Sequence, residues 1–129
     1  MSHQVMVKTQ IKDRNVLEST LSELGYSFRS GGRLVAYRGE DAGEVDIMVN
    51  IKGHDNKVGF RFSNKENCYE IVGDFWNTNV SQQDFTSSIK KNYVEKKVTA
   101  LLAAKRYVVV NKKVERNGAI KMVARSMVA

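Results

Sequence analysis

The sequence predicts an α+β fold: a mainly antiparallel sheet of about six strands, in the order β-α-β-β-β-α-β-β, with two helices packed on one face. Three observations predict it. Two stretches, near residue 15 and from residue 81, carry apolar residues at helical spacing. Between them, short segments alternate apolar and polar residues with the period of two that a strand requires. Clusters of Asn, Asp and Gly separate these segments at short intervals, as in a meander where each strand pairs with the one before it. Helices on one face of such a sheet bury both sets of apolar side chains at once.

Residues 4–11 alternate loosely and are read as a first strand. Asn15 and Glu18 have capping-box spacing, and Val16, Leu17, Thr20, Leu21 and Leu24 follow at helical spacing up to Gly25, which predicts a helix over 15–24. Leu34 to Arg38 is a short strand candidate. Val45, Ile47, Val49 and Ile51 alternate with Asp46, Met48 and Asn50 in the pattern of a half-buried strand. Val58, Phe60 and Phe62 repeat the pattern, and Tyr69 to Gly73 forms a further strand. Asp41-Ala42-Gly43, Gly53-His54-Asp55-Asn56 and Asn64-Lys65-Glu66-Asn67 are read as turns between them.

Ser81 opens a second helix with Asp84 in its first turn, and the helix is expected to reach about Lys105. Phe85, Ile89 and Tyr93 share one face, while Val94, Val98, Leu101 and Leu102 form a second apolar stripe. A helix that is apolar on two sides is either sandwiched or covered by a partner. Tyr107–Val110 and Ile120–Ala124, joined through Asn117-Gly118, close the chain as a hairpin. No linker, repeat or low-complexity stretch interrupts the 129 residues, which read as a single domain, 1–129.

Composition narrows the function classes. No apolar run reaches the ~20 residues that span a bilayer, so no membrane association is expected. With Cys68 as the one cysteine and His3 and His54 as the two histidines, no disulfide and no ordinary zinc site is expected, and a reducing cytoplasm fits. The net charge of +7 is unevenly placed. Residues 81–129 hold 11 Lys and Arg against Asp84, Glu95 and Glu115, a balance of +8, whereas residues 1–80 balance at −1. Such asymmetry marks either a solvated face or a surface for an acidic partner or nucleic acid.

No catalytic constellation stands out. Cys68 has no motif around it and reads as a small buried hydrophobe. Asp41, Glu44 and Asp46 read as a polar turn, and Gly31-Gly32 lacks the spacing and lysine of a phosphate loop. Asp74, leading into Phe75-Trp76 after a strand, is the most notable carboxylate, and it reads first as a structural turn acid. An enzyme would need it to meet His3 or His54. A nucleic-acid reading rests on Lys57 and Arg61 beside Phe60 and Phe62, since RNA-binding sheets stack bases on strand aromatics. The competing reading places both phenylalanines in the core.

Met1-Ser2-His3, Lys8-Thr9-Gln10-Ile11-Lys12-Asp13, Leu24-Gly25-Tyr26, Tyr37-Arg38-Gly39, Val58-Gly59-Phe60, Tyr69-Glu70-Ile71-Val72 and Asp74-Phe75-Trp76 occur in that order along the chain. This ordered set resembles the hypothetical chloroplast reading frame thirty-five family of cyanobacteria and plastids, over nearly the whole length. The resemblance implies an α+β fold and a cyanobacterial, plastid or phage setting, hence cytoplasm or plastid stroma. It supplies no reaction, cofactor or catalytic residue.

The expected function is that of a non-enzymatic accessory or adaptor protein, without cofactor, that binds another protein or a second copy of itself. The alternative is an RNA- or DNA-binding module that uses the basic C-terminal part and the strand aromatics. Candidate binding residues across these readings are Lys57, Arg61, Asp74, Trp76, Lys90, Lys97, Lys112, Lys113 and Arg116.

Overall fold

A computed structural model describes residues 4–35, 41–51, 54–75 and 80–127. The fold is α+β. Strands β1 (Gln4–Lys8), β2 (Ser27–Ser30), β5 (Ile47–Ile51), β6 (His54–Ser63) and β7 (Cys68–Asp74) form one antiparallel sheet in the order β1-β7-β6-β5-β2. Two hairpins stand apart from it: β3 (Arg33–Val35) with β4 (Asp41–Glu44), and β8 (Tyr107–Val114) with β9 (Ile120–Ser126). The expected meander is present as β5-β6-β7. Among the described residues, however, the C-terminal hairpin pairs only with itself, which leaves five strands in the main sheet.

Helix α1 (Arg14–Glu23) starts one residue before the expected boundary, and its cap differs from the expected one. Asp13 is the N-cap and accepts from the Val16 amide at 3.2 Å, while Glu18 reaches back to Arg14 at 3.5 Å. A capping box on Asn15 and Glu18 is therefore not formed. A carboxylate placed two residues earlier satisfies the free amide, and its charge favours the helix start. At the other end, the Gly25 amide bonds to Ser22 O and the Tyr26 amide to Leu21 O, with Gly25 at φ +88°. This is the Schellman termination, which glycine makes without strain.

Helix α2 (Gln82–Ala104) follows the expectation closely: the Ser81 hydroxyl accepts from the Asp84 amide at 3.0 Å. Leu17 and Leu21 from α1, and Phe85, Ile89 and Tyr93 from α2, share one core with Ile47, Val49, Phe60 and Ile71. Both helices thus cover the same sheet face. Phe85 lies at the centre, with its ring centroid 5.2 Å from Tyr26, 5.3 Å from Phe75 and 6.1 Å from Phe60.

The opposite face carries a smaller core of Leu34, Val45, Met48 and Val72 beneath the β3-β4 hairpin. This corrects two expectations. Asp41-Ala42-Gly43 belongs to a strand rather than a turn, since backbone pairing with β3 needs no apolar side chain. Met48 is fully buried, so β5 is covered on both sides and not half-exposed. His54, Asp55 and Asn56, read as a turn, begin β6 instead. The segment Ser27–Ser30 was not expected as a strand; it has no apolar alternation and is recruited as an edge by pairing with β5. The end of the expected strand 34–38 lies outside the described residues.

Gly73 sits where β7 crosses closest to β6. Its φ is +142°, and a methyl group there would lie 2.1 Å from the Lys57 carbonyl oxygen. Gly73→Ala is expected to cost about 3 kcal/mol, from strain and backbone collision together, measured as a lowered denaturation midpoint at unchanged m value. Phe85→Ala is expected to cost about 3–5 kcal/mol, because it leaves a cavity among three rings.

The buried phenols set an alkaline limit. Burial holds the Tyr69 hydroxyl above the ordinary 10.0, with Asp46 and Glu18 adding to the rise and Arg14 opposing it. Burial does the same to Tyr26. Raised native values favour the neutral form, so their stability contribution is complete below pH 10.0 and falls as pH rises toward the native values. Denaturant midpoints are expected to decline from about pH 10 upward, and Tyr26→Phe should flatten part of that decline.

Candidate functional site

The two apolar stripes of α2 meet different fates. The stripe of Phe85, Ile89 and Tyr93 is buried, and beyond Tyr93 no residue of the helix is. The last eleven residues extend for roughly 16 Å, at 1.5 Å per residue, and lie beside α1, to which Lys96 and Lys97 are tied. On this outer half Val94 is 55%, Val98 38% and Leu101 58% exposed. The chain then reverses at Arg106, which has φ +62°, and β8 runs back beside the helix. Lys112 on β8 pairs with Glu95 on α2, fixing that return. The hairpin also leaves large apolar side chains in solvent, Val110, Val114 and Val123 among them. An isolated two-stranded hairpin is marginal in water, so its packing on α2 is what holds it.

The cations of this region are only partly neutralised. Lys96 pairs with Glu23, and that hydrogen bond and the lysine's charge lower the pKa of the Glu23 carboxyl. Lys97 lies 3.5 Å from the Asp13 carboxylate. Lys113, Arg116 and Lys121 form no ion pair among the described residues and are exposed on the hairpin. The result is an apolar surface interleaved with net positive charge.

A second feature is a cleft of about 800 Å³ between the β1-α1 connection, the start of β7 and α2. Ile11, Cys68 and Tyr93 line it among buried residues, with Val94 at its side. Lys8, Lys12, Lys90 and Glu66 line it with charge, and Lys8 pairs with Glu66 at 3.1 Å. The geometry is fixed from below. The Thr9 hydroxyl donates to Tyr69 O at 2.5 Å and accepts from the Ile11 amide at 3.0 Å, and the Tyr69 amide bonds Ile11 O. Tyr93 Oη accepts from the Lys12 and Asp13 amides at 3.2 and 3.0 Å.

The candidate residues from sequence are scattered over this frame. Lys57 and Arg61 lie on β6. Arg61 Nη2 is 3.9 Å from Glu70 and contacts Met6 Sδ, on the face away from the helices. Asp74 is buried at the end of β7, paired in register with Gln4. Trp76 and His3 lie outside the described residues, as does the His54 side chain. Phe60 is fully buried beneath the helices and Phe62 packs edge-on against Tyr69 at 5.1 Å. Phe60 thus has no face open to a base, whereas Phe62 is half-buried, so the pair does not form the two-ring platform that base stacking on a sheet uses. Lys112, Lys113 and Arg116 stand together on the hairpin, remote in topology from Lys57 and Arg61. Of the described candidates, Lys90 joins the cleft. Lys8, Lys12, Glu66 and Tyr93, which complete it, were not among the binding residues expected from sequence. They meet only because β1 pairs with β7, a contact between residues more than 60 positions apart.

Among the described residues no three His, Cys, Asp or Glu side chains are placed to hold a metal ion, and no helix is long and apolar enough to cross a membrane.

Comparison with known proteins gives the chain a family. It is 26% identical over 95 residues to the uncharacterised protein ycf35 of Pyropia yezoensis, covering 72% of each chain. No solved structure matches. A family model described as a protein of unknown function, DUF1257, matches residues 20–123, and the chain belongs to that family.

Proposed function

We propose that the chain is a non-enzymatic accessory protein that docks an acidic protein partner on the outer half of α2 and the C-terminal hairpin. The observation that supports this is the exposure of Val94, Val98 and Leu101 on a helix whose other apolar stripe is fully used in the core. Isolated exposed apolar residues are ordinary, but an exposed stripe on one helix face, with further exposed valines on the hairpin packed beside that helix, is the pattern of an interaction surface. Charge selects the occupant. Residues 81–129 balance at +8. Two copies meeting through this face would oppose like charges, whereas an acidic rim on a different protein would pair with Lys113, Arg116 and Lys121. The soluble compartment of the expectation, cytoplasm or plastid stroma, suits such a role.

Nucleic acid is the second reading, and only the hairpin cations favour it. Phosphate contacts gain nothing from Val98 and Leu101, while a protein partner buries them.

The test is affinity capture from a photosynthetic host extract using the wild type and a Val98→Asp/Leu101→Asp variant. Both positions are exposed, so folding stability should shift by less than about 0.5 kcal/mol per site. The expected result is an acidic protein retained by the wild type, untouched by nuclease, and at least tenfold depleted on the variant. Retention that nuclease abolishes would move the assignment to nucleic acid. Equal retention by the variant, or none by the wild type, would end the docking proposal.

A further inference from the structure

The cleft beside β1 is independent of the docking surface in chemistry, although Val94 borders both. Its volume of about 800 Å³ lies within the range of small-molecule sites rather than of protein interfaces. Three features of its wall converge. Lys8 is neutralised by Glu66, but Lys12 and Lys90 form no ion pair among the described residues. Two lysines of the cleft wall therefore have no carboxylate partner among the described residues.

The third feature is Tyr93. A phenol oxygen has two lone pairs and one proton. Both acceptor positions are engaged by the Lys12 and Asp13 amides. The ring is buried, and the hydroxyl donates to no group among the described residues. The two amides hold the oxygen in place and force its proton away from the backbone, and Tyr93 is part of the cleft wall. A hydroxyl proton without an acceptor on a cleft wall is available to a ligand or to water. Here it is combined with two cations and an apolar wall of Ile11 and Val94.

We propose that this cleft binds a small organic anion, with its carboxylate or phosphate oxygens held by Lys12, Lys90 and the Tyr93 hydroxyl and its apolar body set against Val94 and Ile11. The phenol supplies direction and the lysines supply charge. The apolar wall discriminates against inorganic ions of the same charge.

The probes are phenyl phosphate, benzoate and inorganic phosphate, titrated into isotope-labelled full-length protein at constant ionic strength, with chloride as the control. The amides of Lys12, Asp13 and Cys68 are expected to shift saturably with phenyl phosphate or benzoate, and several-fold more weakly with inorganic phosphate. Preference for phenyl phosphate over benzoate, or the reverse, identifies the anionic group. Lys12→Gln/Lys90→Gln, at two exposed positions without ion pairs, should weaken binding at least tenfold while preserving the spectrum elsewhere. Tyr93→Phe should weaken it comparably; because that change also removes the acceptor for two amides, the lysine variant decides if Tyr93→Phe unfolds. Linear shifts equal to those with chloride, or saturation unchanged in the lysine variant, would overturn the proposal. Neither outcome depends on whether a protein docks on the hairpin.

Discussion

The arrangement depends on one packing event, the seating of Phe85 among Tyr26, Phe60 and Phe75. Its three partners come from the end of α1, the central strand β6 and the exit of β7, so a single ring holds together elements that are far apart in sequence. Ile89 and Tyr93 extend the contact along one side of α2 and fix the helix's rotation about its axis. Once that rotation is set, the direction of every other residue on the helix follows from its 3.6-residue period. Val94, Val98 and Leu101 are in solvent because Phe85, Ile89 and Tyr93 are not.

The same helix therefore serves two environments in succession. Its first half is a core element, with one face against the sheet. Its second half has no buried side chain and becomes a support for the β8-β9 hairpin, joined through Lys112 and Glu95. The hairpin adds no strand to the main sheet and buries little of itself. Natural sheets guard unpaired edges with charge, and the lysines and arginines of β8 and β9 do this here. The cations thus have a solubility role in the free protein and become available to an acidic partner when one covers the valines.

Much of this was legible because the relevant signals are local. The start of α2 at Ser81, the termination of α1 at Gly25, the β5-β6-β7 meander and the Asn117-Gly118 hairpin each follow from a few adjacent residues. The failures share a cause as well. β2 and β4 are strands because of what they pair with; Ser-Phe-Arg-Ser and Asp-Ala-Gly-Glu carry no periodic signal of their own. Met48 looked like the polar side of an alternation and is fully buried, because the β3-β4 hairpin folds over a face that local patterning assigns to solvent. The exposed stripe of α2 could be read as an anomaly in the helix pattern, whereas the cleft could not. It exists only after β1 has paired with β7 and Tyr93 has reached across to the β1-α1 connection.

That reach of Tyr93 joins the two surfaces physically. Its oxygen is bonded to the Asp13 amide, and the Asp13 carboxylate caps α1 while lying 3.5 Å from Lys97 on the outer half of α2. The start of α1 is therefore held from two successive turns of α2, by a neutral hydrogen bond at residue 93 and an exposed ion pair at residue 97. The exposed pair contributes little by itself. The buried hydroxyl is the stronger constraint, since losing it leaves two amides without their partner. A hydrogen bond donated by the same hydroxyl would polarise its oxygen and strengthen the two bonds it accepts, because donating and accepting at one hydroxyl are cooperative. The small core beneath Leu34 and Met48, on the far side of the sheet, takes no part in this junction.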